Sequence, residues 1–261
     1  MKTVARILLV LVVWGMLKGP WEDRLSKERS KVTYGEDLRM SFALRETVGQ
    51  NLALAALGGF RGLVATYLWI SLTEAWEEQT WTRVRTLADF AVTLQPRVLF
   101  FWENGAWHLA WNASVSVSKY APEGTSEARK DLESRRWIDA GIDMLERGIQ
   151  AIPEKPTLYL RMAELYWQRL EDFDQAAHYY RLAEGKPGAP SYVPRFIGYA
   201  LEKAGRLEES LNHWKMLESS DYYEGLPPKQ KEKVQQERAK LEKLVAEAAA
   251  NPAPKSSSDD Q

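Results

Sequence analysis

The chain has 261 residues, and a composition 45% hydrophobic and 27% charged supplies enough apolar material for a core, which excludes a disordered polyelectrolyte. Its 35 basic residues are balanced by 36 acidic ones, so net charge gives no general attraction to nucleic acid or acidic surfaces. No cysteine is present, which excludes disulfides, thiolate metal sites and cysteine nucleophiles, and His108, His178 and His213 stand too far apart for a metal-ligand motif.

Lys2 and Arg6 precede the unbroken apolar run Ile7 to Leu17, which Lys18, Gly19 and Pro20 close. A basic start followed by an apolar stretch is the layout of a secretory signal, yet Trp14, Gly15, Met16, Leu17 and Lys18 provide no small-x-small cleavage site. Residues 1–20 therefore read as an uncleaved signal-anchor, a transmembrane segment whose Lys2, Arg6 and Lys18 snorkel at its ends. Residues 21–45 read as a linker in which Arg24, Lys27, Arg29 and Lys31 alternate with Glu22, Asp23 and Glu28. That mixture leaves only a weak positive-inside bias, and the C-terminal bulk is placed outside the cytoplasm.

A helical domain is expected over 46–226. Its first stretch, Asn51 to Ile70, is nearly all apolar apart from Arg61, with Gly58, Gly59 and Gly62 clustered around that cation. As a second membrane span it would return the rest of the chain to the cytoplasm. An Arg near the middle of a span costs about 2.5–3.5 kcal/mol, however, and the stretch runs on into Glu74, Trp76, Glu77 and Glu78, so it reads as a buried helix. Arg61 then needs a counter-charge, and Glu74, Glu77 and Asp89 are the candidates.

The pattern next gives helices over Phe60 to Gln79 and Trp81 to Leu94, closed by Pro96. Trp102, Gly105, Ala106 and Leu109 mark the first helix of another pair, and Gly141, Leu145, Gly148 and Pro153 mark its second. The segment Ser118 to Arg129 between them, rich in Ser, Pro, Gly and Glu, lengthens this pair. From Pro156 the frame is clearer: Tyr159, Met162, Ala163 and Tyr166, then Ala176, Tyr180 and Ala183, then Pro187. Asp172 occupies an N-cap position, and Gln175 three residues later completes the pattern of a capping box. The frame recurs as Ile197, Gly198, Leu201, Gly205, Ser210, Trp214 and Leu217, with Gly198 standing 35 residues after Ala163. Ala163 and Gly198 are small where two helices of a hairpin approach closely, and Gly205 suits the left-handed conformation that ends a helix. Beyond Pro227 and Pro228, a charged helix over Lys229 to Ala250 carries the narrow apolar stripe Val234, Leu241, Leu244, Val245 and Ala248, which makes 227–250 a capping helix. Residues 251–261 are dominated by Pro, Ser and Asp and read as a disordered tail.

The order and spacing from 156 to 217 resemble the tetratricopeptide (TPR) signature, whose repeat is about 34 residues, here with one extra residue in the turn of the first hairpin. The resemblance is looser over 60 to 153. More narrowly, Gly58-Gly59-Phe60-Arg61-Gly62, Trp69, Leu94-Gln95-Pro96-Arg97, Ala106-Trp107 and Ala110-Trp111-Asn112 resemble a group of bacterial membrane-anchored TPR proteins. The resemblance implies an all-α, right-handed solenoid of about four helix pairs between an N-terminal anchor and a C-terminal cap, located at the bacterial inner membrane with the repeats facing the periplasm.

In such arrays the first helix of each pair lines a concave face. Carrying that frame over position by position places Trp107 and Trp111, then Glu164, Trp167 and Gln168, then Tyr192, Arg195 and Tyr199 on the inner surface. Aromatic rings beside Arg and Glu form a groove suited to a protein or peptide partner. For Trp107 and Trp111 the alternative is packing between neighbouring pairs. His108, in an aromatic neighbourhood, reads as a hydrogen-bonded core or groove residue. Asn112-Ala113-Ser114 matches a glycosylation acceptor but falls within a helix.

No phosphate loop, nucleophile elbow or His-Glu-x-x-His motif is present, and no catalytic residue, cofactor or metal is assigned. The expected function is a non-catalytic scaffold or adaptor, with neither nucleic acid nor a small-molecule cofactor among its partners. The alternative is a Trp-rich glycan-binding or glycan-processing envelope protein. That would require Glu103 or Glu164 to face another acid across the groove beside exposed Trp107 or Trp111.

Overall fold

The structure, a computed structural model, describes residues 60–250. The expected signal-anchor, linker and tail, and the first part of the apolar stretch from Asn51, lie outside the described residues. Every regular element among the described residues is helical.

Helices α1 (Arg61–Glu77) and α2 (Trp81–Leu94) form the first pair. Ala65, Leu68, Leu72 and Ala75 recur at three- and four-residue spacing on α1 and are buried. The buried-helix reading holds for this face; on the other side Leu63, Tyr67 and Ile70 are 69%, 63% and 56% exposed. An apolar run with no helical periodicity shows that both sides are apolar and does not say which is covered. No helix among the described residues is long and apolar enough to cross a membrane. Arg61 is an exposed residue at the first position of α1, and none of Glu74, Glu77 or Asp89 pairs with it; Asp89 is taken by Arg147 at 2.7 Å.

The second pair is the long one. Helix α3 (Leu99–Trp107) passes without a break through a π-helical stretch (His108–Ala113) into α4 (Ser114–Lys119), and α5 (Glu127–Ala151) runs back along all three. Of the segment Ser118 to Arg129, residues 118–119 end α4, 120–126 form the connection, and 127–129 begin α5. Close approach explains the small residues: a β-carbon on Gly141 would sit 2.7 Å from the Ala110 methyl and 3.0 Å from the Ala106 carbonyl oxygen.

The third pair is α6 (Pro156–Leu165), extended by a π-helical turn (Tyr166–Leu170), with α7 (Phe173–Glu184). The extra residue expected in this turn is absorbed instead by the widened helix end, since a π turn holds one more residue than an α turn. Asp172 caps α7 by accepting the Gln175 N–H at 3.0 Å. The reciprocal half of the capping box is absent, because the Asp172 N–H goes to the Tyr166 carbonyl at 3.1 Å.

The fourth pair is α8 (Val193–Lys203) and α9 (Leu207–Glu218). Its turn is a Schellman motif: Gly205 has φ +77, its N–H bonds to Glu202, and the Arg206 N–H reaches back to Leu201 at 2.9 Å. A short helix α10 (Asp221–Glu224) leads into α11 (Pro228–Ala250), which packs against α9. The stripe of α11 is buried at Val234, Glu237 and Leu241, while Ala248, expected within it, is exposed. Glu237 is tolerated there because Lys233 and Lys240 reach it at 2.8 and 3.1 Å. Burial pushes its pKa up, but the two lysines outweigh that and hold it below the ordinary carboxylate value.

Candidate functional site

Glu103, Trp107 and Trp111 follow one another at four-residue intervals along α3 and its π-helical continuation, and so occupy one side of that rod. Arg161, Glu164 and Gln168 make the equivalent stripe on α6 and its π turn. The two stripes meet across a cavity of about 110 Å³ whose wall also includes Ala106 and Leu145. Trp107 is 45% exposed and Trp111 half-buried. Four of the residues assigned from sequence, Trp107, Trp111, Glu164 and Gln168, therefore come together.

Arg161 organises the charges of this cavity. Its Nε donates to Glu103 Oε1 at 2.7 Å and its Nη1 to Glu164 Oε2 at 2.6 Å, with Nη2 also 2.5 Å from Glu103 Oε1. Burial alone would lower the pKa of the guanidinium, but the hydrogen bonds and charges of Glu164 and Glu103 reverse this and raise it. One cation thus joins two carboxylates from different helices. The one sequence signal for Arg161 is its i, i+3 spacing from Glu164, a helix ion-pair spacing. Its pairing with Glu103, 58 residues away, has no local signature.

The remaining assigned residues divide. Tyr192, just before α8, is not among the residues lining the cavity; burial chiefly, and then the charge of Glu164, raise its pKa, with Arg161 opposing. Arg195 belongs to a second, open cleft of about 480 Å³ between α8 and α11, lined by Lys229, Gln230, Glu232, Lys233 and Gln236, and donates to the Gln230 side chain. Helix α11 therefore lines a cleft as well as capping the last pair. Trp167 is not among the cavity residues: it is half-buried and packs with Phe173, Tyr180 and Phe196 at ring separations of 5.3, 6.4 and 6.2 Å. Tyr199 likewise packs edge-on against the buried Trp214 at 5.1 Å.

His108 sits among Trp69, Trp76 and Trp107, with ring centroids 6.2, 5.7 and 5.3 Å away, and Asn112 Nδ2 donates to its Nδ1 at 3.1 Å. Burial lowers its pKa, which favours the neutral ring, so His108 acts as an aromatic packing element with one satisfied acceptor. That bond also gives Asn112 a structural partner. Among the described residues no group of three or more His, Asp or Glu is placed to hold a metal ion. No family model matches the chain, and none of the curated proteins matches it either.

Proposed function

We propose that the protein is a non-catalytic scaffold of the tetratricopeptide kind, a right-handed solenoid of helix pairs tethered at the bacterial inner membrane by residues 1–20, with its repeats in the periplasm. On this reading a protein or peptide partner lies across the first helices of successive pairs. The observation that supports it is the convergence of the α3 and α6 stripes on one shared cavity. Exposed Trp107 beside engaged charges is the composition of a binding hot spot, where a rigid ring contributes area at small entropic cost.

The glycan-processing alternative gains one specific observation, because Glu103 and Glu164 do meet beside Trp107 and Trp111. Both carboxylates nevertheless grip the same guanidinium. Glycoside cleavage asks for an acid and a carboxylate facing each other across a sugar, whereas here an arginine occupies the space between them. The arrangement supports a charged contact surface more than an acid–base pair.

The test is affinity capture with the full chain in detergent, comparing wild type with Trp107→Ala plus Gln168→Ala. Both side chains are exposed, so the variant keeps its helical circular dichroism, and the reading expects it to lose partners that the wild type retains. Equal recovery of every partner by the folded variant would remove this face from consideration.

A further inference from the structure

We propose that the cavity between Trp107 and Glu164 is the socket for one basic side chain, lysine or arginine, projecting from the protein partner. This rests on the reading of the face as a partner surface and gives the partner a chemistry.

The first observation is the count of charges. Glu103 and Glu164 share Arg161, so the lining carries two negative charges against one positive. The second is unused hydrogen-bonding capacity. Arg161 engages Oε1 of Glu103 and Oε2 of Glu164, while Glu103 Oε2 and Glu164 Oε1 accept nothing from the described residues. The two side chains are 23% and 28% exposed and their free oxygens stay open to solvent, and a carboxylate offers about four lone-pair sites, so both can accept donors from an incoming group. The third is the wall. Trp107 and Trp111 bring two indoles to the cavity, and indole is the ring that attracts a cation most strongly. Among the described residues no cation lies over either of them, although Trp102, Tyr120, Tyr159 and Tyr223 each have one.

Size and sign narrow the occupant further. At about 110 Å³ the cavity equals the space of roughly four waters, enough for the end of one side chain but not for a folded segment. An acidic group would meet an excess of negative charge. An apolar one would cover the open carboxylate oxygens and leave them without partners. An ammonium or guanidinium supplies donors to those oxygens and a cation to the indoles together.

The test is fluorescence anisotropy of the full chain in detergent with three labelled Gly/Ser decapeptides, carrying at their centre Arg-Lys-Arg, the neutral isosteres citrulline-norleucine-citrulline, or Glu-Glu-Glu. The basic probe is expected to bind about tenfold or more tightly than the neutral one, to weaken as salt rises, and to lose about tenfold on Glu164→Gln. Trp107→Ala weakens it independently, and because Trp107 is exposed this variant keeps its fold even if Glu164→Gln disturbs Arg161. Equal binding of basic and neutral probes, preference for the acidic probe, absence of saturable binding at millimolar probe, or indifference to both substitutions would overturn the proposal. If partner capture depends on Trp107 while the basic probe fails, the partner surface stands and the basic socket falls. If capture is also indifferent, both fall.

Discussion

At Gly198 there is no room for a methyl group. A β-carbon there would lie 2.5 Å from Cε2 of Trp214, a ring that is completely buried, so the indole and the glycine are one packing unit. Gly198→Ala is expected to lower stability by about 1–3 kcal/mol through overpacking, read as a shift in the urea midpoint without a change in slope. Gly205 is the opposite case, with open space around it but φ +77. Gly205→Ala therefore costs backbone strain alone, about 1–2 kcal/mol, and an unchanged midpoint would refute the left-handed cap. His213 gives a pH dependence. Burial lowers its pKa below 6.5, against a partial upward effect from the bond its Nε2 donates to the Pro194 carbonyl at 2.7 Å. Below about pH 6.5 the unfolded chain takes up a proton that the folded chain refuses, so stability falls as pH falls toward the folded-state pKa. The drop in melting temperature between about pH 7.5 and 5.5 should be smaller in His213→Gln, which retains a donor for Pro194. An identical drop in both proteins would show that folding does not shift the pKa of His213.

At the scale of elements, the features written in a few consecutive residues were the legible ones. Asp172 before α7 and Gly205 after α8 are local signals with a local cause, and both act at the positions read for them. Asp172→Ala is expected to cost about 1 kcal/mol by freeing the Gln175 N–H, measurable by thermal or urea unfolding. The π-helical stretches were not legible. An inserted residue interrupts periodicity in the same way whether it widens a helix or lengthens a turn, and only the backbone hydrogen bonds distinguish the two. Which side of α1 is covered is not legible in sequence for a related reason. Leu63, Tyr67 and Ile70 are as apolar as Leu68 and Leu72, so composition could not tell the covered side from the open one.

At the scale of the molecule, the cavity was half legible. The residues along each rod follow from helical spacing, but their meeting depends on Arg161 reaching Glu103 across 58 residues of chain, and on α11 bringing Gln230 and Lys233 to Arg195. Sidedness is testable separately: a topology reporter fused after Gln95 should be active only outside the cytoplasm, and activity confined to the cytoplasm would reverse the proposed location. The most direct test of the partner face is site-specific photo-cross-linking in cells. A photoreactive residue at Trp107 or Gln168, on the first helices, should give discrete protein adducts. The same residue at Leu132 on α5 or Met216 on α9, which are 60% and 56% exposed, should give none. Adducts from Leu132 or Met216 with none from Trp107 or Gln168 would contradict the account.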